Sequence, residues 1–164
     1  MILLELVLIL ATFLCALTAG FVFAFASVVM PGIGKLADRE FIRSFQAIDG
    51  IIQTGQFAFG LVWMGSVAAL LTLAVLAALQ LDGIERGFVV VSALVYVLGV
   101  QVPTFTINVP LNNDLQQVDT DALDTDALAA ARSAFESRWV KWNSIRTVMA
   151  SLVSVALMFV LLRL

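Results

Sequence analysis

The chain is 164 residues long, 62% hydrophobic and only 13% charged, with a mean hydropathy of +1.04. Soluble domains carry about 25% charged residues, so this composition excludes an ordinary water-soluble fold and points to an integral membrane protein. A net charge of −3 and a pI near 4.7 exclude the clustered basic surface that phosphate backbones require, and no nucleic-acid partner is expected.

A spanning helix needs about 20 apolar residues. Four stretches of that order are present, at residues 2–30, 51–81, 87–109 and 139–162. They predict a single all-α domain, an integral-membrane four-helix bundle whose long first and third connections lie on one side. The first stretch has no basic segment before it, carries only Glu5 as an early charge and is too long for a signal peptide, so it reads as a retained helix. Within it Thr12, Ala16, Gly20 and Ala24 recur every four residues, a small-residue face along which membrane helices approach closely. Cys15 is the only cysteine and there is no histidine, which removes disulfides and the usual zinc, haem and non-haem iron ligand sets. No metal and no cofactor are expected.

After Met30 the sequence Pro31-Gly32-Ile33-Gly34 predicts a helix break. A new helix starts near Asp38, with Phe41, Ile42, Phe45 and Ile48 on an apolar stripe; it lies at the interface and runs on into the second span. Its other face carries Gln46, Asp49, Gln53, Gln56 and Gly60 in steps of three or four, ending at a gap fit for a neighbour or ligand. Glutamines in such a place often only tie helices together. An aspartate near membrane depth is a functional candidate, and if Asp49 is buried its first candidate partner is Arg146.

The third span follows a short polar turn and reads as plain lipid-facing helix up to Gly99. Beyond it Gln101, Thr104 and Asn108 share a face, while Pro103 and Pro110 each disrupt backbone hydrogen bonding. Irregular backbone at this depth survives only inside protein or beside a watery cavity, so the segment is expected to line a pocket. It ends in Asn108-Val109-Pro110-Leu111-Asn112-Asn113, three carboxamides that cost several kcal/mol in hydrocarbon unless paired.

Residues 114–126 read as a solvated Asp- and Thr-rich loop, and Thr125 or Asp126 is the expected cap of one long last helix. On that helix Arg132, Glu136, Trp139, Asn143 and Arg146 form a stripe. The first two are expected to make a surface ion pair of little consequence. Trp139, Lys141 and Trp142 suit an interfacial anchor, whereas Asn143 and Arg146 lie deeper and need acceptors. The motif at residues 108–113 is the expected supply, which would make one shared polar cluster. Seven of the nine basic residues flank the first and third connections, so that side is expected to be cytoplasmic.

Gly20 with the aromatic-rich stretch to Met30-Pro31, then Phe45-Gln46-Ala47-Ile48, then Asn108-Val109-Pro110-Leu111-Asn112-Asn113, then Trp142-Asn143-x-x-Arg146 together resemble the anthrone oxygenase-like family of small four-span membrane proteins. Most of that family is an uncharacterised domain. The resemblance covers nearly the whole chain, and the last two motifs are its most specific parts. It implies oxidation of an anthrone to an anthraquinone by molecular oxygen and, because bacterial members are common, a bacterial plasma membrane.

That chemistry needs a base, an oxyanion clamp and an aromatic pocket. Asp49 or Asp114 is the candidate base, and Arg146 with Asn112 or Asn113 the candidate clamp. Trp63, Trp139, Phe57 and Phe105 are candidate ring contacts, and Gln46, Gln53, Gln101, Asn108 and Asn143 further candidates for substrate binding. The expected partner is a hydrophobic small molecule or lipid within the membrane, and homo-oligomerisation is left open. The opposing class is a non-enzymatic scaffold or accessory subunit whose Asn/Arg cluster only staples the helices. A transporter is a third class, but the chain has no repeat symmetry for alternating access.

Overall fold

The computed structural model describes residues 2–164, which contain helices and no strand. The helices are α1 (Ile2–Ile33), α2 (Asp38–Gln53), α3 (Phe57–Gln80), α4 (Gly83–Gln116) and α5 (Thr125–Leu161). All but α2 are long and apolar enough to cross a membrane. Around the core, α1 packs on α3 and α5, and α4 closes the ring against the same two helices. Leu8 and Cys15 of α1, Leu70 and Leu73 of α3, Tyr96 of α4 and Leu157 of α5 are among the residues that fill it.

At 1.5 Å per residue, the 34 residues of α4 and 37 of α5 extend about 51 and 56 Å, well beyond the roughly 30 Å hydrocarbon core. Their surplus projects at one end. There α2 lies against both, with Phe41, Ile42 and Phe45 packed on Leu115, Phe135 and Trp139. The first and third connections meet at this end: the Arg39 side chain donates to the Thr120 and Leu123 carbonyls and that of Arg43 to Thr120 Oγ1 and Asp121. The acidic segment is therefore pinned to α2 rather than simply solvated.

Several local expectations are corrected. The first helix does end within Pro31-Gly32-Ile33-Gly34, at Ile33 with Gly34 as its C-cap, but only after α1 passes through an unforeseen π-helical turn at Phe25–Val29. In α4 likewise, π turns at Val97–Gln101 and Thr104–Asn108 precede Pro103 and Pro110, and the helix stays continuous. Each of the three π turns ends two residues before a proline. A proline lacks the N–H and crowds the carbonyl four residues back, and the wider i→i+5 turn accommodates both defects without breaking the helix.

The helix expected to run from Asp38 into the second span is instead two helices, because the chain turns at Thr54-Gly55-Gln56. Gly55 has φ +85°, a left-handed conformation that glycine adopts without steric cost. Gln56 then caps α3, its side chain accepting from Phe59 N at 2.7 Å. The cap of α5 is Asp124, one residue earlier than expected, accepting from Ala127 N at 2.9 Å.

Of the small-residue face of α1, Thr12 is buried but Gly20 and Ala24 are exposed. A strict step of four residues drifts about 40° around the helix each time, so the stripe winds off the contact face. The packed stripe runs instead through Leu4, Leu8, Ala11, Cys15, Thr18 and Val22, whose alternating steps of four and three keep it on one face.

Arg132 does more than form a surface pair. It donates to Glu136 at 2.7 Å, Asp38 at 3.1 Å and the carbonyls of Gly34 and Leu36, tying the end of α1 to α5.

Candidate functional site

A cavity of about 570 Å³ lies where α2 meets α3, α4 and α5, with Phe21 and Phe25 of α1 at its back. Its polar side is built from two helices that the sequence places far apart. On α2, Asp49 and Gln53 are one turn apart and share a face. On α4, Asn112 and Gln116 have the same spacing.

These side chains converge on Asp49, which is only 4% exposed. Asn112 Nδ2 donates to Asp49 Oδ1 at 2.7 Å, while Gln53 Nε2 and Gln116 Nε2 donate to Oδ2 at 2.7 and 3.0 Å. The partner of Asp49 is thus a set of three carboxamides, and the expected pairing with Arg146 is not made.

The network continues to α5. Trp139 Nε1 donates to Asn112 Oδ1 at 2.7 Å, and Asn108 Nδ2 donates to the Trp139 carbonyl at 3.3 Å. The join between the α4 motif and α5 therefore runs through Trp139.

Arg146 lies deeper, 5% exposed. Its Nη1 donates to Thr104 Oγ1 at 2.9 Å and its Nη2 to Asn143 Oδ1 at 2.8 Å, rather than to residues 108–113 as expected. Asn143 in turn donates to the Val22 carbonyl at 2.9 Å, which anchors it to α1. Among the described residues no carboxylate pairs with Arg146. Two buried atoms here have no hydrogen-bond partner, Arg146 Nε and Asn108 Oδ1, and both residues line the cavity.

Aromatic rings form the remaining wall. Phe25 and Phe45 meet Trp139 with ring centroids 5.7 and 5.5 Å apart, and Phe59 stacks on Trp63 at 5.4 Å. The arrangement offers flat apolar contacts, an anchored carboxylate and a buried cation around one space.

Of the residues singled out in the sequence, Asp49, Gln53, Asn108, Asn112 and Asn113 line the cavity, as do Trp139, Asn143 and Arg146. Phe57, Trp63 and Phe105 do so too. Gln46 and Gln101 do not. Gln46 Nε2 donates to the Leu115 and Val118 carbonyls at 2.8 and 2.9 Å, latching α2 onto the end of α4. Gln101 Oε1 accepts from Trp63 Nε1 at 3.1 Å behind the cavity wall. Asp114 faces a separate, smaller hollow.

Sequence reasoning passed over Gln116, whose signal was its position one turn beyond Asn112. It also passed over Phe21 and Phe25 as individual ring contacts, although their spacing of four puts them on one face.

The model of the anthrone oxygenase family matches residues 53–157, close to two thirds of the chain, so Asp49 and Gln46 fall outside the matched stretch. No curated protein and no solved structure matches the chain. The matched stretch contains both specific motifs, α3, α4 and all but the last turn of α5, and the chain belongs to the anthrone oxygenase family.

Proposed function

We propose that this membrane protein is an oxygenase that converts a hydroxyanthrone-like aromatic to the corresponding quinone with dioxygen, inside the cavity between its helices. The observation that carries this reading is the buried guanidinium of Arg146, which has no carboxylate partner and whose Nε–H has no hydrogen-bond partner in a residue that lines the cavity. A buried charge without a counterion is costly, and a ligand oxygen bearing negative charge offsets that cost.

The reaction divides into steps that these residues can serve. Asp49 takes a proton from the methylene carbon, whose electron pair delocalises into the ring ketone as an enolate. Arg146 stabilises the enolate oxygen. The carbanion carbon then gives its electrons to dioxygen, a C–O bond forms, and the peroxide anion takes back the proton from Asp49 to give a hydroperoxide. Loss of the second hydrogen from that carbon, with cleavage of the O–O bond, leaves a new carbonyl and one water. The carbon is oxidised by four electrons and dioxygen reduced by four, so the sum is anthrone plus O₂ to quinone plus H₂O.

An ionised carboxylate has about four lone-pair sites. Three of those on Asp49 are filled by carboxamide N–H groups, which orient it and leave one for the substrate proton. The aromatic wall suits a flat polycyclic ligand. A bacterial plasma membrane is the proposed location, and a hydrophobic small molecule the proposed partner.

The test is oxygen uptake by the purified protein in lipid vesicles supplied with a hydroxyanthrone. Uptake above the protein-free autoxidation rate, matched by quinone formation, supports the reading. Uptake at the protein-free rate leaves the polar network as a staple in a non-enzymatic scaffold.

A further inference from the structure

We infer that the cavity opens sideways into the bilayer, between the first two turns of α3 and the Phe105–Val109 stretch of α4, and that its ligand enters from the hydrocarbon phase. This inference rests on the cavity being the ligand site.

The wall on that side is built from residues that belong to the cavity and to the outer surface at once. Phe57, Leu61 and Met64 of α3 line the cavity, yet are 79%, 60% and 60% exposed; Phe105 of α4, opposite, is 57% exposed. All four are apolar. In a membrane-spanning helix such outward faces meet lipid tails, so the mouth they frame gives onto hydrocarbon. Phe57, Gly60, Leu61 and Met64 follow steps of three, one and three, which places them on one face of α3 and makes the mouth about 10 Å long.

Gly60 sits midway along this face. A Cβ built there meets nothing within 4 Å, so the smallest residue leaves a gap where any other side chain would protrude. The charged groups lie at the inner end: Asp49 is 4% exposed and Arg146 5%, whereas Gln53, Gln56 and Asn113 line the cavity where it nears the α2–α3 turn and are exposed. A ligand entering by this route passes an apolar mouth before meeting the charged groups. The substrate class is therefore a bilayer-dissolved, largely apolar ring system with its polar substituents leading.

Carbene labelling tests access without relying on turnover. The protein is reconstituted in phosphatidylcholine vesicles containing trifluoromethyl-phenyldiazirine, irradiated and mapped by mass spectrometry. Adducts are expected on Trp139 and Trp63 as well as on lipid-facing Phe13, but not on Tyr96, which is fully buried away from the cavity. Gly60→Phe should bring the adducts on Trp139 and Trp63 to the Tyr96 background while Phe13 stays labelled, and Phe105→Ala should raise them. Wild-type cavity residues labelled no more than Tyr96, or labelling indifferent to both variants, would overturn the inference. Failure of the oxygenase reaction with this labelling pattern intact would refute the chemistry and leave the entry route standing.

Discussion

Asn112 and Asp49 form a head-on contact of 2.7 Å across two helices, and the same carboxamide accepts from Trp139 Nε1 at 2.7 Å. One side chain on α4 therefore fixes both a carboxylate on α2 and a ring on α5. Asn112→Leu would strand a donor on Trp139 and an acceptor on Asp49. Each such loss costs about 1–3 kcal/mol in a buried setting. Reversible unfolding in mixed micelles should show a loss of about 2–6 kcal/mol for the two together, and an unchanged midpoint would mean that the contact bears no weight.

Arg146 should behave in the opposite way. It makes two side-chain hydrogen bonds but has no ion-pair partner, so its burial is not offset by an opposite charge. Arg146→Met removes an expensive desolvated cation, which offsets the cost of about 1–3 kcal/mol for leaving Asn143 Oδ1 without its donor, so net stability should change by less than about 1 kcal/mol. Activity with a hydroxyanthrone should fall by roughly 10² to 10³, the usual consequence of losing an oxyanion donor. A variant that unfolds instead would make Arg146 a structural residue.

The π turn at Thr104–Asn108 sets the rotation of everything after it in α4. An inserted residue turns the downstream helix by about 100°. Pro110→Ala removes the reason for the wider turn, and relaxation to regular α-helix would swing Asn112 and Gln116 away from Asp49. The helical circular dichroism signal should persist while oxygen uptake is lost. Full activity in this variant would show that the π turn is held by packing rather than by the proline.

Gly55 is the joint between α2 and α3. With φ at +85°, an alanine there should cost about 1–2 kcal/mol from the clash of its Cβ with the following carbonyl. Thermal unfolding of Gly55→Ala measures it, and an unaffected transition would mean that the turn relaxes freely.

The four long helices and the polar stripe of α5 are legible in the sequence, because apolar length and residue spacing are local properties. So is the need of Asp49 and of the Asn108 to Asn113 motif for hydrogen-bond partners, since unpaired polar groups at membrane depth are costly. Which partners they take is not legible. Regular α-helical spacing cannot register an inserted π residue, and each insertion re-aims the side chains beyond it, so the meeting of Asn112 and Gln116 with Asp49 could not be read from spacing; Arg146, in a helix without such a turn, is held instead by Thr104 and Asn143. The separation of α2 from α3 was hidden for a different reason. The apolar and polar stripes continue across Thr54-Gly55-Gln56, and only the left-handed glycine and the Gln56 cap reveal the turn.

In the proposed reaction Asp49 removes the substrate proton in a cavity where Arg146 receives the resulting negative charge. The most direct measurement is turnover of Asp49→Asn in vesicles with isotopically labelled dioxygen, alongside the wild type. Wild-type protein should place one labelled oxygen atom in the new quinone carbonyl and the other in water, and Asp49→Asn should fall to the protein-free rate while remaining folded and monodisperse. Labelled quinone formed by Asp49→Asn at the wild-type rate would contradict the account.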